Sequence, residues 1–117
     1  MTQQELGTIG EKMAQDYLIN KQYTILHRNY RHKHLELDLI CEKENKLIVV
    51  EVKTRQTAEI GEPWRAVTRT KQKLIIRASN FYIQEFDVQL ETQFDVISIV
   101  HNSYRTEIEH LEDAFTP

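Results

Sequence analysis

Leu47-Ile48-Val49-Val50-Glu51-Val52-Lys53 is the most apolar run of the chain, and two opposite charges enter it near its end. Its β-branched content marks a buried strand. Charges in such a strand are costly unless they are paired or bound to something. Successive side chains of a strand alternate faces, so Glu51 and Lys53 share one face and Val50 and Val52 the other. The segment before it, residues 35–42, repeats the device: Glu36 and Asp38 share a face, opposite Leu35, Leu37 and Leu39. The polar break at residues 42–46 reads as a hairpin loop. Asp38 and Glu51 lie 13 positions apart around its centre, so the expected pairing sets them near each other on neighbouring strands unless the register slips by one residue.

Working outward, residues 2–18 read as a helix. Thr2 and Glu5 have capping-box spacing, and Leu6, Ile9, Met13, Ala14, Tyr17 and Leu18 recur at helical intervals. Residues 23–29 read as a further strand. Gly61 and Pro63 punctuate the chain before a second helix whose apolar stripe runs from Trp64 and Val67 through Leu74, Ile75, Ala78, Phe81 and Tyr82. Residues 94–100 read as another strand, and residues 104–111 as an edge strand or an irregular tail. The order α-β-β-β-α-β predicts one α/β domain over residues 1–117, a mixed central sheet flanked by helices.

At 117 residues a single core is feasible without staples. The lone Cys41 forms no internal disulfide, the first residues carry no secretory pattern, and no apolar run is long enough to span a membrane. A cytoplasmic protein without membrane contact is expected. The net charge of −3 argues at first against a polyanionic partner, but the charge is segregated. Residues 21–34 carry +4 (Lys21, Arg28, Arg31, Lys33) and residues 64–80 carry +5 (Arg65, Arg69, Lys71, Lys73, Arg77), with no acid in either block. These blocks are either solvated faces or contacts for a nucleic-acid backbone.

Carboxylates converging at one point repel each other; a shared proton, a basic partner or a divalent cation relieves them. An all-oxygen set beside a lysine favours Mg²⁺ or Mn²⁺. The plain alternative is a Glu51–Lys53 ion pair at a sheet end. On a helical wheel Lys71 falls between Val67 and Leu74, inside the apolar stripe, and is expected to face the sheet. Gln72 projects off that stripe. Glu11 borders the apolar face of the first helix, next to Gly10 and one turn after Gly7, small residues that permit close approach to the sheet. Trp64 fits a core role better than base stacking, His32 and His34 fit solvated histidines better than metal ligands, and Cys41 fits a small core residue.

Taken together, Gly7-x-x-Gly10-Glu11, Glu36-x-Asp38-Leu39-Ile40, Val50-Glu51-Val52-Lys53-Thr54-Arg55, Gly61-x-Pro63 and Lys71 resemble the YraN-like family of uncharacterised bacterial proteins, within the restriction-endonuclease-like, or PD-(D/E)xK, fold group. The resemblance covers about residues 7–100. It implies an αβββαβ core in which Asp38 and Glu51-x-Lys53 correspond to the metal-binding and catalytic signature. Glu11 is similar in position to the first-helix glutamate of archaeal Holliday-junction resolvases, and Lys71 with Gln72 fills the second-helix polar position. Leu35 departs from the glycine common before Glu36.

The leading expectation is therefore an Mg²⁺- or Mn²⁺-dependent nuclease, with branched DNA as one possible substrate. Asp38, Glu51 and Glu36 are the expected metal ligands, and Asp38, Glu51, Lys53, Glu11, Glu36 and Lys71 the catalytic set. Arg55, Arg65, Arg69, Lys73 and Arg77 are the expected nucleic-acid contacts, with DNA ahead of RNA. The rivals are a non-catalytic nucleic-acid-binding module of the same fold and a protein-interaction subunit; monomer and homodimer are both open.

Overall fold

A computed structural model describes residues 1–57 and 67–117. Gly61, Pro63, Trp64 and Arg65 lie outside the described residues. Helix α1 spans Gln3–Asn20 and is closed at its start by the expected capping box: the Glu5 N–H donates to Thr2 Oγ1 at 3.0 Å, and the Thr2 N–H donates to Glu5 Oε1 at 3.1 Å. Three antiparallel strands follow, β1 (Thr24–His32), β2 (Leu35–Lys43) and β3 (Lys46–Arg55). The β2–β3 loop is tighter than residues 42–46. It is a two-residue turn at Glu44 and Asn45, both at left-handed φ (52° and 62°), a backbone twist that suits a tight hairpin.

Helix α2 spans Arg69–Glu85, and the Thr68 hydroxyl caps it by accepting from the Lys71 N–H. It carries the chain to β4 (Glu91–His101), parallel to β3, and β5 (Thr106–Phe115) returns antiparallel along the sheet edge. The sheet order is β1-β2-β3-β4-β5. This is the expected mixed α/β fold, a five-stranded sheet with two helices.

The sheet has a core on each face. Leu37, Ile40, Leu47, Val49, Phe94 and Val96 pack with Ile75, Ala78 and Tyr82 of α2, whereas Leu39, Cys41, Ile48, Val50, Ile97 and Ile99 pack with Ala14 and Leu18 of α1. Such side chains typically cost about 2–5 kcal/mol each when truncated to Ala. Rings hold α2 on β1: Tyr82 sits edge-on to His27 and Tyr30, and Phe81 stacks on His32 at 3.8 Å. His32 is thus half-buried in a ring stack and not the solvated residue expected, whereas His34 is exposed. Cys41 is buried, and burial pushes its thiol up to about 12, as befits an inert core residue.

Two sequence expectations change here. Leu37 and Leu39, assigned above to one face, lie in opposite cores, so β2 switches face at Asp38. Asn29 of β1 lies across from that switch, between the Arg28↔Leu39 and Tyr30↔Leu37 pairs, and takes a left-handed φ of 52° that asparagine tolerates better than most residues. The second change is in α2, which begins only at Arg69, so that Val67 joins the core from the chain before the helix and not from its stripe, and whose buried face is Ile75, Ala78, Ser79 and Tyr82. Leu74 is exposed, and the stripe is rotated from the one read along the sequence.

Candidate functional site

The face switch opens the sheet beside Asp38. The β2–β3 ladder ends at the Leu39↔Val50 pair, and one further step in the same register would oppose Asp38 and Glu51. There the Asp38 side chain does the work of a backbone acceptor: the Val52 N–H donates to Asp38 Oδ2 at 2.9 Å. Asp38 is thereby fixed between two strands and faces the hollows beside α1.

Glu51 is a close neighbour of Asp38, whose charge and hydrogen bonding both act on its carboxyl. Its side chain is only 12% accessible, and burial, followed by the charge of Asp38, pushes its carboxyl up to about 8 against the opposing pull of Lys71 and Lys53. Glu11 reaches Asp38 from α1. Burial first, then the charges of Asp38 and Glu36, raise it to about 7. Glu11 and Glu51 thus both close on Asp38, and burial followed by the charge of Asp38 holds these two glutamates short of full ionisation near neutral pH.

Helix α1 comes this close because of Gly10. A Cβ there would fall 1.7 Å from Thr54 Oγ1, whereas a Cβ at Gly7 would meet nothing within 4 Å. The contact buries the Thr54 hydroxyl, which has no hydrogen-bond partner among the described residues. Of the two glycines, Gly10 is the one whose lack of a side chain seats Glu11 over Asp38.

A cleft of about 540 Å³ opens at this point, lined by Glu11, Glu36, Asp38, Lys53, Thr54 and Arg31 among others. Lys53 is exposed along it. Glu36 sits at the rim, 3.7 Å from Arg31. Lys71 does reach the sheet, with Nζ 3.7 Å from Glu51 Oε2, but its side chain is 45% accessible. It projects from the solvent edge of α2 towards the acid, and is not packed within an apolar stripe. Gln72 braces the start of α2 by donating to the Val67 carbonyl and accepting from Arg69. Asn29, which lines the cleft opposite Asp38, was not singled out from sequence; the available signal was a turn-forming residue inside a strand pattern.

The basic blocks divide. Arg31 lines the cleft, and Arg28 flanks Glu11 and Asp38 in an adjoining hollow. Lys21 lies at the other end of the sheet, its carbonyl accepting from Lys43 Nζ beside the β2–β3 turn. Arg69 donates to the Thr116 carbonyl, and Lys73 and Arg77 are exposed on α2. Arg55 ends β3.

A second buried acid escaped the sequence reading. Asp95 of β4 is fully buried. Its carboxylate accepts from His110 Nε2 at 2.7 Å, from the Asp113 N–H at 2.9 Å and from Gln93 Nε2 at 2.9 Å. His110 Nδ1 lies 3.3 Å from the Tyr17 hydroxyl, and Tyr23 donates to Glu112. Asp95, His110 and Glu112 each bring a ligand-type atom within 4.8 Å of the others. Both ring nitrogens of His110 are already engaged, however, and the network ties β5 to β4 and α1. The signal for it was the one used at Glu51, an acid inside an apolar strand, here Phe94-Asp95-Val96.

Comparison with known proteins adds the family. The profile of "Uncharacterised protein family UPF0102" matches residues 10–99. A UPF0102 protein of Christiangramia forsetii is 43% identical over 111 residues, covering 95% of this chain and 93% of that protein. One from Phocaeicola vulgatus is 44% identical over 113 residues, covering 97% and 93%. Among the described residues, no helix is long and apolar enough to cross a membrane.

Proposed function

Given that the chain belongs to the uncharacterised protein family UPF0102, we propose that it is a metal-dependent nuclease with a restriction-endonuclease-like core, hydrolysing phosphodiester bonds in nucleic acid. The observation that carries this reading is that Glu11 and Glu51 both close on Asp38, raised to about 7 and about 8, and that Asp38 and Glu11 line an open cleft together with Glu36 and Lys53. A purely structural acid is expected to be satisfied by donors; these are crowded by one another, in a place a substrate can enter.

The donor set fits a hard divalent cation, being all oxygen and short of positive charge. Asp38 and Glu51 would hold Mg²⁺ or Mn²⁺, with the rim residue Glu36 completing the set. Such an ion supplies Lewis-acid polarisation of a phosphoryl oxygen and a more acidic water. The chain's own residues do the rest. Lys53, on the cleft, orients the attacking water, and Glu11 takes its proton as the new P–O bond forms; the leaving oxygen takes a proton from solvent water in the open cleft as its bond to phosphorus breaks. Lys71 offsets charge developing on the phosphate. Arg31 and Arg28 flank the entrance for backbone contacts, and Lys73 and Arg77 are exposed cations of α2, the helix on the other face of the sheet.

Purified protein titrated with Mn²⁺ or Mg²⁺ against single-stranded, duplex, flap and four-way-junction substrates tests this. Cleavage by the parent, lost in Asp38→Ala and Glu51→Ala, is expected; equal cleavage by variants and parent sinks the assignment. One observation favours a second reading, a non-catalytic nucleic-acid-binding module: Lys71 already partners Glu51. Salt-dependent binding without cleavage is its signature.

A further inference from the structure

The β4–β5 turn presents Tyr104 with 94% of its surface accessible. Among the described residues its ring has no stacking partner, and the turn does not need it. Asn102 holds the turn instead: its Oδ1 accepts from the N–H groups of Tyr104 (2.8 Å) and Arg105 (3.1 Å), and its Nδ2 donates to the Gln56 carbonyl at 2.7 Å. His101 and Thr106 close the base of the turn at 2.7 Å. An aromatic ring is therefore displayed on a braced turn, tied to the chain just beyond β3.

Beneath it lies a cleft of about 610 Å³ lined by Met1, Gln56, Thr57, His101, Asn102 and Tyr104 among others. The site cleft is lined by Gln3 and Gln4 of α1 and by Lys53 and Thr54 of β3. The two hollows are thus neighbours along both segments. From Lys53 to Gln56 is roughly 10 Å at the rise of a strand, about three nucleotides at the 3.4 Å spacing of a stacked strand.

We propose that Tyr104 and its cleft form a stacking subsite for an unpaired nucleobase of the strand held at Asp38 and Glu51. The inference rests on the nucleic-acid reading above and sharpens it to substrates with single-stranded character. A rigidly displayed aromatic face stacks any base, whatever its identity, but bases within a duplex are already stacked on each other. Thr57 and Gln56, which line the cleft, bring polar side chains to it for the sugar and phosphate.

The test is fluorescence anisotropy in low salt with Ca²⁺, using a labelled single-stranded oligonucleotide and a blunt duplex of the same sequence. Tyr104→Ala, at so exposed a position, leaves the fold intact. It is expected to weaken single-strand binding about tenfold and duplex binding by less than about twofold, with Tyr104→Trp restoring the single-strand affinity. Unchanged single-strand affinity in Tyr104→Ala, or an equal loss on both substrates, overturns the subsite. If the parent binds and cleaves while Tyr104→Ala matches it, only the subsite falls; if the parent binds neither substrate, the nucleic-acid reading falls with it.

Discussion

Asp38 and Asp95 have the same structural duty. Each is an acid in an apolar strand, each stands where a ladder is interrupted, and each lends a carboxylate oxygen to a backbone N–H across the break, that of Val52 or that of Asp113. They differ in what surrounds the rest of the carboxylate. Around Asp95 stand donors, His110 and the Gln93 amide, in a sealed place between β4, β5 and α1. Around Asp38 stand two more acids, Glu11 and Glu51, beside a cleft. A buried acid is thus not in itself a mark of function. The mark is an acid whose neighbours leave it in need of positive charge where a ligand can enter.

The sharpest way to break this contrast is to neutralise each aspartate. Asp38→Asn is expected to lower cleavage about 10³-fold while costing no more than about 1 kcal/mol of stability, read from rates and urea melts of one preparation. Asp95→Ala should do the opposite, destabilising by about 3–5 kcal/mol because it strands His110 and the Asp113 N–H. If Asp38→Asn proves the more destabilising of the two, the contrast is wrong.

The acid cluster also predicts a pH signature. The ordinary value for Glu11 and Glu51 is 4.5, and the fold raises them to about 7 and about 8. The folded state therefore keeps protons that the unfolded chain releases. With respect to these groups, stability is fully present below about pH 4.5 and is lost as pH rises through 7 to 8. Melting temperatures in a chelator across pH 5–9 should show this fall, Glu51→Gln should flatten it, and Mn²⁺ should restore stability at the alkaline end by binding the folded state. A parent curve as flat as that of Glu51→Gln would remove the electrostatic argument for the site.

A smaller effect separates the two glycines of α1. Gly10→Ala drives a methyl into Thr54 and is expected to cost about 1–3 kcal/mol and to bring the Glu11 carboxyl back towards its ordinary range, read by NMR titration. Gly7→Ala meets open space and should stabilise by up to about 1 kcal/mol with Glu11 unmoved. Equal behaviour of the two would mean that the Gly10–Thr54 contact does not seat Glu11.

Much of the site was legible from residue order. The placement of Asp38 and Glu51 about the hairpin centre anticipated their approach, because a tight turn sets the pairing of the residues that flank it. The switch of face at Asp38 was not legible, since a strict alternation carried Leu37 and Leu39 to one side. The left-handed Asn29 on the neighbouring strand marks where that alternation fails, and no property of β2 alone announces it. Lys71 was assigned to a buried stripe because the wheel was drawn through Leu74, which the packing leaves outside. Asp95 passed unnoticed although it showed the same anomaly as Glu51, because its partners His110 and Asp113 come from a strand that pairs with β4 only in the folded chain.

Local patterning and chain order alone specified α1, the order of the strands, the mixed sheet and the approach of Asp38 to Glu51, since turns, caps and hydrophobic periods act over a few residues. Folding decided which acids are satisfied and which are left wanting. That depends on donors and carboxylates brought together from distant segments, with Gly10 on Thr54 setting how near Glu11 comes and His110 closing over Asp95. Burial then amplifies charges that the linear chain would leave dispersed in water.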